Sequence, residues 1–203
     1  MRAFDPELLE ASGRDAKQLY AQALAAMPPG DLWVFGYGSL IWNPEVAHDA
    51  RRAARAWGWQ RGLCMWSHVN RGTVQRPGLV FALVPGGSCQ GIVLRVPRAR
   101  AEAELQRLWQ REMPSPVYDP RWLRCRTPGG DVRALAFTLS RASPSHAGRL
   151  DADALLPILR DSRGRYGSTL EYVLRTAQAL RAEGIRDRAL ERIVQLAEAA
   201  GLR

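Results

Sequence analysis

Leu32-Trp33-Val34-Phe35-Gly36-Tyr37-Gly38-Ser39-Leu40 is an apolar run that breaks on two glycines. Leu32 to Phe35 reads as a buried strand, and Gly36-Tyr37-Gly38-Ser39 bends the chain at its end. Two glycines around a tyrosine leave the backbone free to turn and to expose N–H groups. Such a bend cradles a carboxylate or an oxyanion, although an ordinary strand-end turn fits the same letters. No Gly-Lys-Ser/Thr follows, which argues against a P-loop. Ser39 lacks the Gly-x-Ser-x-Gly frame of a nucleophile elbow.

Upstream of this run, Pro6 to Met27 is expected to be a helix, with Pro6 at its first position and Pro28-Pro29-Gly30 as its stop. This divides the chain into an N-terminal helical extension, 1–30, and a single domain, 31–203. Downstream, the tryptophan-rich stretch Ala53 to Ser67 holds one or two strands. Gly78 to Val84 and Cys89 to Val96, separated by Pro85-Gly86-Gly87, read as a hairpin. Ala101 to Met113 is a helix cut by Pro114 and Pro116. Arg121 to Arg126 and Val132 to Leu139, around Pro128-Gly129-Gly130, read as a second hairpin. After Pro144 the period changes, and Asp151–Leu159, Ser168–Ala182 and Asp187–Ala199 are helical. Strands in the middle and helices at the ends make an α+β fold with a curled or closed sheet.

The 203 residues suffice for one core, and 46% of them are apolar, seven being tryptophan. No window approaches the roughly 18 unbroken apolar residues of a membrane helix. Asp5, Glu7 and Glu10 near the start are unlike a secretory signal, so a cytoplasmic protein is expected. Cys64, Cys89 and Cys125 form no CxxC and no Cys/His cluster, which suits a reducing compartment and predicts no metal. The net charge of +9 raises nucleic acid as a partner. Yet the positive charge is nearly all arginine, Lys17 being the single lysine, and it is scattered rather than blocked. Basic charge of this kind favours an anionic small substrate rather than nucleic acid.

One carboxylate stands out. On the helix from Ala101, Leu105, Leu108, Trp109 and Met113 form the apolar stripe, and at about 100° per residue Glu112 falls inside it. It also lies in the last turn, where the helix dipole disfavours negative charge. Both effects raise its pKa, which suits a general base working near neutrality. A glutamate paired with a buried arginine, or exposed at a frayed helix end, is the other reading. Arg71, in Asn70-Arg71-Gly72-Thr73, is placed to offer a guanidinium to a substrate carboxylate, or else is a solvated loop arginine. His48, His68 and His146 are far apart in sequence and suggest no triad.

Taken together, several segments resemble the ChaC family of glutathione-specific γ-glutamylcyclotransferases. They are Val34 to Pro44, Cys64-Met65-Trp66-Ser67, Arg71-Gly72-Thr73, Pro77-Gly78-Leu79-Val80, Gly86 to Gly91, Leu108 to Met113, Pro120-Arg121-Trp122 and Gly164 to Ser168. They follow the family's order from about residue 32 to the C-terminus. The resemblance implies a mixed β-barrel with flanking helices, no cofactor, and glutathione as the small-molecule substrate. It implies that Glu112 is the catalytic carboxylate and that Tyr37, Gly38, Ser39 and Leu40 hold the γ-glutamyl group. The reaction implied is attack of the substrate α-amine on its γ-carbonyl, giving 5-oxoproline and Cys-Gly. The same ring closure on other γ-glutamyl amino acids or amines, and a lapsed basic binding protein on this fold, are the alternatives. Two departures stand out. Val74-Gln75 replace the Pro-Glu that often follows Arg-Gly-Thr, and His146 stands where a tyrosine is usual. His146 is accordingly a candidate substrate-binding residue, or else part of a loop after Pro144.

Overall fold

The computed structural model describes residues 14–202. The expected helix start at Pro6 lies outside the described residues, but the expected unbroken run from Pro6 to Met27 does not form, because Arg14 and Asp15 are not helical. Helix α1 runs Ala16–Ala25, and the Asp15 side chain caps it by accepting from the Lys17 N–H at 2.8 Å. It docks through indole donors. Trp109 donates to the Ala16 carbonyl and Trp122 to the Ala23 carbonyl.

Five strands close a barrel: β1 (Leu32–Gly36), β2 (Ala50–Ser67), β3 (Gly78–Val96), β4 (Asp119–Thr127) and β5 (Gly130–Thr138). Their order is β1-β3-β2-β4-β5. β1 pairs antiparallel with β3 on one side and parallel with β5 on the other, at Val34 and Leu135. Flanked on both edges, it is almost wholly buried, which is why it reads as an unbroken apolar run. The sheet is therefore mixed and closed, as expected, and the hairpin β4–β5 turns where Pro128-Gly129-Gly130 stands.

The other expected hairpin is not there. Gly78 to Val96 is one strand, and both halves pair with β2: Val84 opposite Gln60, Cys89 opposite Ala56. Pro85-Gly86-Gly87 is a bulge inside that strand. The register slips between Trp57 and Trp59, and Gly58, Gly86 and Gly87 have φ of 79°, 118° and 63°. Glycine supplies these left-handed conformations without a Cβ clash, so the two long strands bend together instead of reversing. A bulge and a hairpin turn use the same residues, and only the identity of the partner strand separates them.

Helix α2 (Ala101–Glu112) follows β3 and places Leu105, Leu108 and Trp109 in the core. Three C-terminal helices cover the barrel: α3 (Ala152–Asp161), α4 (Thr169–Ala182) and α5 (Arg188–Ala199). Each starts on a side-chain cap, from Asp151, Ser168 and Asp187 respectively. A two-stranded turn, β6 (Arg163–Gly164) with β7 (Gly167–Ser168), leads into α4.

Candidate active site

β1 ends at Gly36 because the chain must turn there against its neighbours. A Cβ on Gly36 would meet Leu40 at 3.2 Å and Ile92 at 3.3 Å. Ser39–Ile41 then form one short helical turn, whose hydrogen bonds begin at the Ile41 N–H donating to Gly38. The N–H groups of Ser39 and Leu40, at its start, are those a helical turn leaves without an internal partner. Gly38 faces Tyr172, and a Cβ there would come within 2.6 Å of the Tyr172 hydroxyl.

This turn forms one wall of a small, partly open cavity lined by Tyr37, Gly38, Ser39, Leu40, Phe81, Glu112, Tyr118, Phe137 and Tyr172. Glu112 reaches it from the last residue of α2, with only 16% of its side chain exposed. Burial pushes its carboxyl above the ordinary 4.5; the adjacent Arg111 guanidinium pulls back, and Glu45 adds to the rise. The Arg111 Nε lies 3.1 Å from the Glu112 Oε1, and Arg111 also donates to the Asn43 carbonyl and the Ser39 hydroxyl. One cation thus ties the carboxylate to the turn opposite. A second carboxylate on α2, Glu104, is buried too, but it is occupied by the Ala47 N–H at 3.1 Å.

Three tyrosines complete the cavity. Tyr37 donates to the Phe137 carbonyl at 2.6 Å, and Tyr172 accepts from the Phe81 N–H at 3.4 Å. Burial raises the pKa of Tyr37, Tyr118 and Tyr172, the last to about 12, and Glu112 raises all three further. They are neutral hydroxyls at physiological pH. The cavity therefore holds one titrating carboxylate among fixed neutral dipoles.

Of the residues singled out in the sequence, the fold brings Tyr37, Gly38, Ser39, Leu40 and Glu112 together across one cavity. It does not bring Arg71 or His146 there. Arg71 is buried, not solvated, and its guanidinium lies 5.0 Å from the Tyr172 ring centroid and donates to the Tyr166 carbonyl. It supports a wall of the cavity from behind. His146 lies beside β2, in a bridge with Met65, where Ser145 and Ala147 pair with Trp66 and Cys64. That pairing fixes its backbone on the edge of β2, and its side chain is not among those lining the cavity. Sequence reasoning missed Tyr118, Tyr172 and Arg111. Tyr172 left a trace: it sits on the apolar face of an amphipathic helix, where a buried hydroxyl needs a partner.

The family model described as ChaC-like protein matches residues 32–200. The chain belongs to the ChaC-like family. Among ChaC-like relatives, the glutathione-specific gamma-glutamylcyclotransferase of Escherichia coli (strain K12) is 31% identical over 186 residues, 91% of this chain and 80% of that protein. The Schizosaccharomyces pombe protein of the same name is 30% identical over 76% of this chain and 85% of its own length. The crystal structure of the yeast gamma-glutamylcyclotransferase specific to glutathione superposes with a TM-score of 0.76 at 20% identity, covering 84% of this chain and 96% of that one. That likeness shows that the two chains share a fold. No helix among the described residues is long and apolar enough to cross a membrane.

Proposed function

We propose that this protein is a gamma-glutamylcyclotransferase that degrades glutathione to 5-oxoproline and Cys-Gly. The observation that carries the reading is Glu112, a buried carboxylate with a raised pKa that lines one small cavity together with the turn of Ser39 and Leu40. The names of the family relatives support glutathione as the substrate.

The reaction is an intramolecular acyl transfer, so nucleophile and electrophile arrive in one molecule and no serine or cysteine nucleophile is required. The work left for the protein is to fold the γ-glutamyl chain until its α-amine lies against its γ-carbonyl, which removes much of the entropic barrier. A narrow cavity walled by Tyr37, Phe81, Tyr118 and Tyr172 suits that task. The α-ammonium must lose a proton before attack, and the leaving Cys-Gly amine must gain one. Glu112 takes the first proton and delivers the second, returning to the carboxylate. Its raised pKa brings it closer to the working pH in both roles. The Ser39 and Leu40 N–H groups hold the substrate carboxylate or the oxyanion that forms at the γ-carbon. Arg111 steadies Glu112 without leaving the cavity's edge.

The test is incubation of the purified protein with glutathione and, in parallel, with γ-glutamyl-alanine, followed by mass detection of 5-oxoproline. Release from glutathione at the higher rate is expected. No 5-oxoproline from either compound overturns the reading, and faster release from γ-glutamyl-alanine overturns the substrate.

A further inference from the structure

We infer that Arg61, together with Asp187, is the positioning device that orients the turn at Gly38 for the proposed reaction. Arg61 lies on β2, outside the cavity lining, and its side chain is only 2% exposed. A guanidinium stays protonated, so burying one costs heavily unless its donors are matched. Here the donors of Arg61 reach three elements. Nε donates to the Tyr37 carbonyl at 2.6 Å, Nη2 to the Gln90 carbonyl on β3, and Nη1 to the Asp187 carboxylate. Asp187 supplies the counter-charge with one oxygen. With the other it caps α5, accepting from the Ala189 and Leu190 N–H groups at 3.0 and 3.1 Å.

The Tyr37 carbonyl is the consequential partner. It belongs to the peptide unit joining Tyr37 to Gly38, and no peptide bond among the described residues is cis. In a planar trans unit the C=O and the following N–H point in opposite directions. Holding the Tyr37 carbonyl against Arg61 therefore turns the Gly38 N–H away from Arg61. Glycine at 38 has no side chain to set that orientation, and no side chain caps the turn that follows it. Arg61 replaces the missing restraint. It also makes the start of a C-terminal helix part of the machinery, although Asp187 lies far along the chain from the turn it steadies.

Three consequences separate positioning from mere support of the fold. In the full-length protein, Arg61→Lys keeps the charge but cannot fork to three acceptors. Amide hydrogen exchange in peptides covering 37–43 should quicken by about tenfold or more, with α4 peptides unchanged. The kcat for 5-oxoproline release from glutathione should fall by about tenfold or more while KM changes much less. In Arg61→Ala, added guanidinium, but not methylammonium, should restore part of the lost kcat. Asp187→Asn keeps the helix cap and removes the counter-charge, so it should show the same pattern to a smaller degree, and it serves if the Arg61 variants fail to fold.

The inference rests on the cyclotransferase reading, but the exchange measurement does not depend on activity. An inactive wild type would sink the function while the exchange data still decide the brace. Unchanged exchange at 37–43 in both Arg61→Lys and Asp187→Asn, or a loss confined to melting temperature with kcat intact, overturns it.

Discussion

Two glycine pairs interrupt apolar strands in this molecule, and they do opposite things. Gly36 and Gly38 end β1 and open a site; Gly86 and Gly87 bend β3 and leave it a strand. At the first pair, a Cβ would strike Leu40, Ile92 or the Tyr172 hydroxyl, so the requirement is space. At the second, the nearest atom to an added Cβ is 3.5 Å away, and the requirement is the positive φ. Substitution should therefore hurt chemistry at one pair and stability at the other.

The largest effect tests the site that the first pair creates. Glu112→Gln keeps the shape of the side chain but cannot cycle a proton, and the rate of 5-oxoproline release should fall by about 10²-fold or more. A variant with more than about a third of the wild-type rate would remove Glu112 from the proton-transfer role. In the wild type, the acid limb of the rate profile should sit above the ordinary carboxylate value of 4.5, because burial raises this group. The same shift has a stability sign. A carboxyl raised on folding stabilises below its unfolded pKa and loses that contribution as pH rises through the folded one. At neutral pH the Gln variant should melt no lower than the wild type, and any advantage should vanish on acidification below about 4.5.

Gly38→Ala comes next. The added methyl must displace the Tyr172 hydroxyl or the turn, and a shift of that size should cost roughly 10- to 100-fold in kcat/KM. Gly87→Ala should do the reverse. With φ of 63° the alanine adopts a left-handed conformation, costing about 1–2 kcal/mol of stability by denaturant titration, with kcat/KM unchanged. A kinetic defect at Gly87 equal to that at Gly38 would erase the distinction between the two pairs.

The pattern of what the sequence disclosed follows the same division. The β4–β5 hairpin was legible because its turn residues and its partner strands are adjacent in the chain. The bulge at Gly86 was not, because β2, its partner on both sides, is specified elsewhere. Glu112 was legible because one helix carries both the apolar stripe and the misplaced charge. Tyr118, Tyr172 and Arg61 were not, since each gains its role from an acceptor or cavity distant in sequence. Arg71 shows the converse: its neighbours suggested a loop, whereas the aromatic rings of Trp42 and Tyr172 bury it.

The smallest effect concerns His146. Burial lowers its imidazole below the usual 6.5, and its backbone is committed to the edge of β2. His146→Tyr should leave KM for glutathione unchanged from pH 5.5 to 8, within about twofold. A KM that tracks histidine titration in the wild type and flattens in the variant would place this residue back at the substrate.

The closed order of the barrel has a consequence for how the chain is made. β1 is flanked by β3 and β5, so Val34 must wait for Leu135 before its second edge is covered. During synthesis the most apolar strand of the protein emerges first and is sealed last. Pairings so distant are slow to form, and an uncovered apolar edge invites association with other chains in the interval. Nascent chains that end before β5 should be the aggregation-prone species, and chaperone dependence should fall sharply once residue 138 has cleared the ribosome.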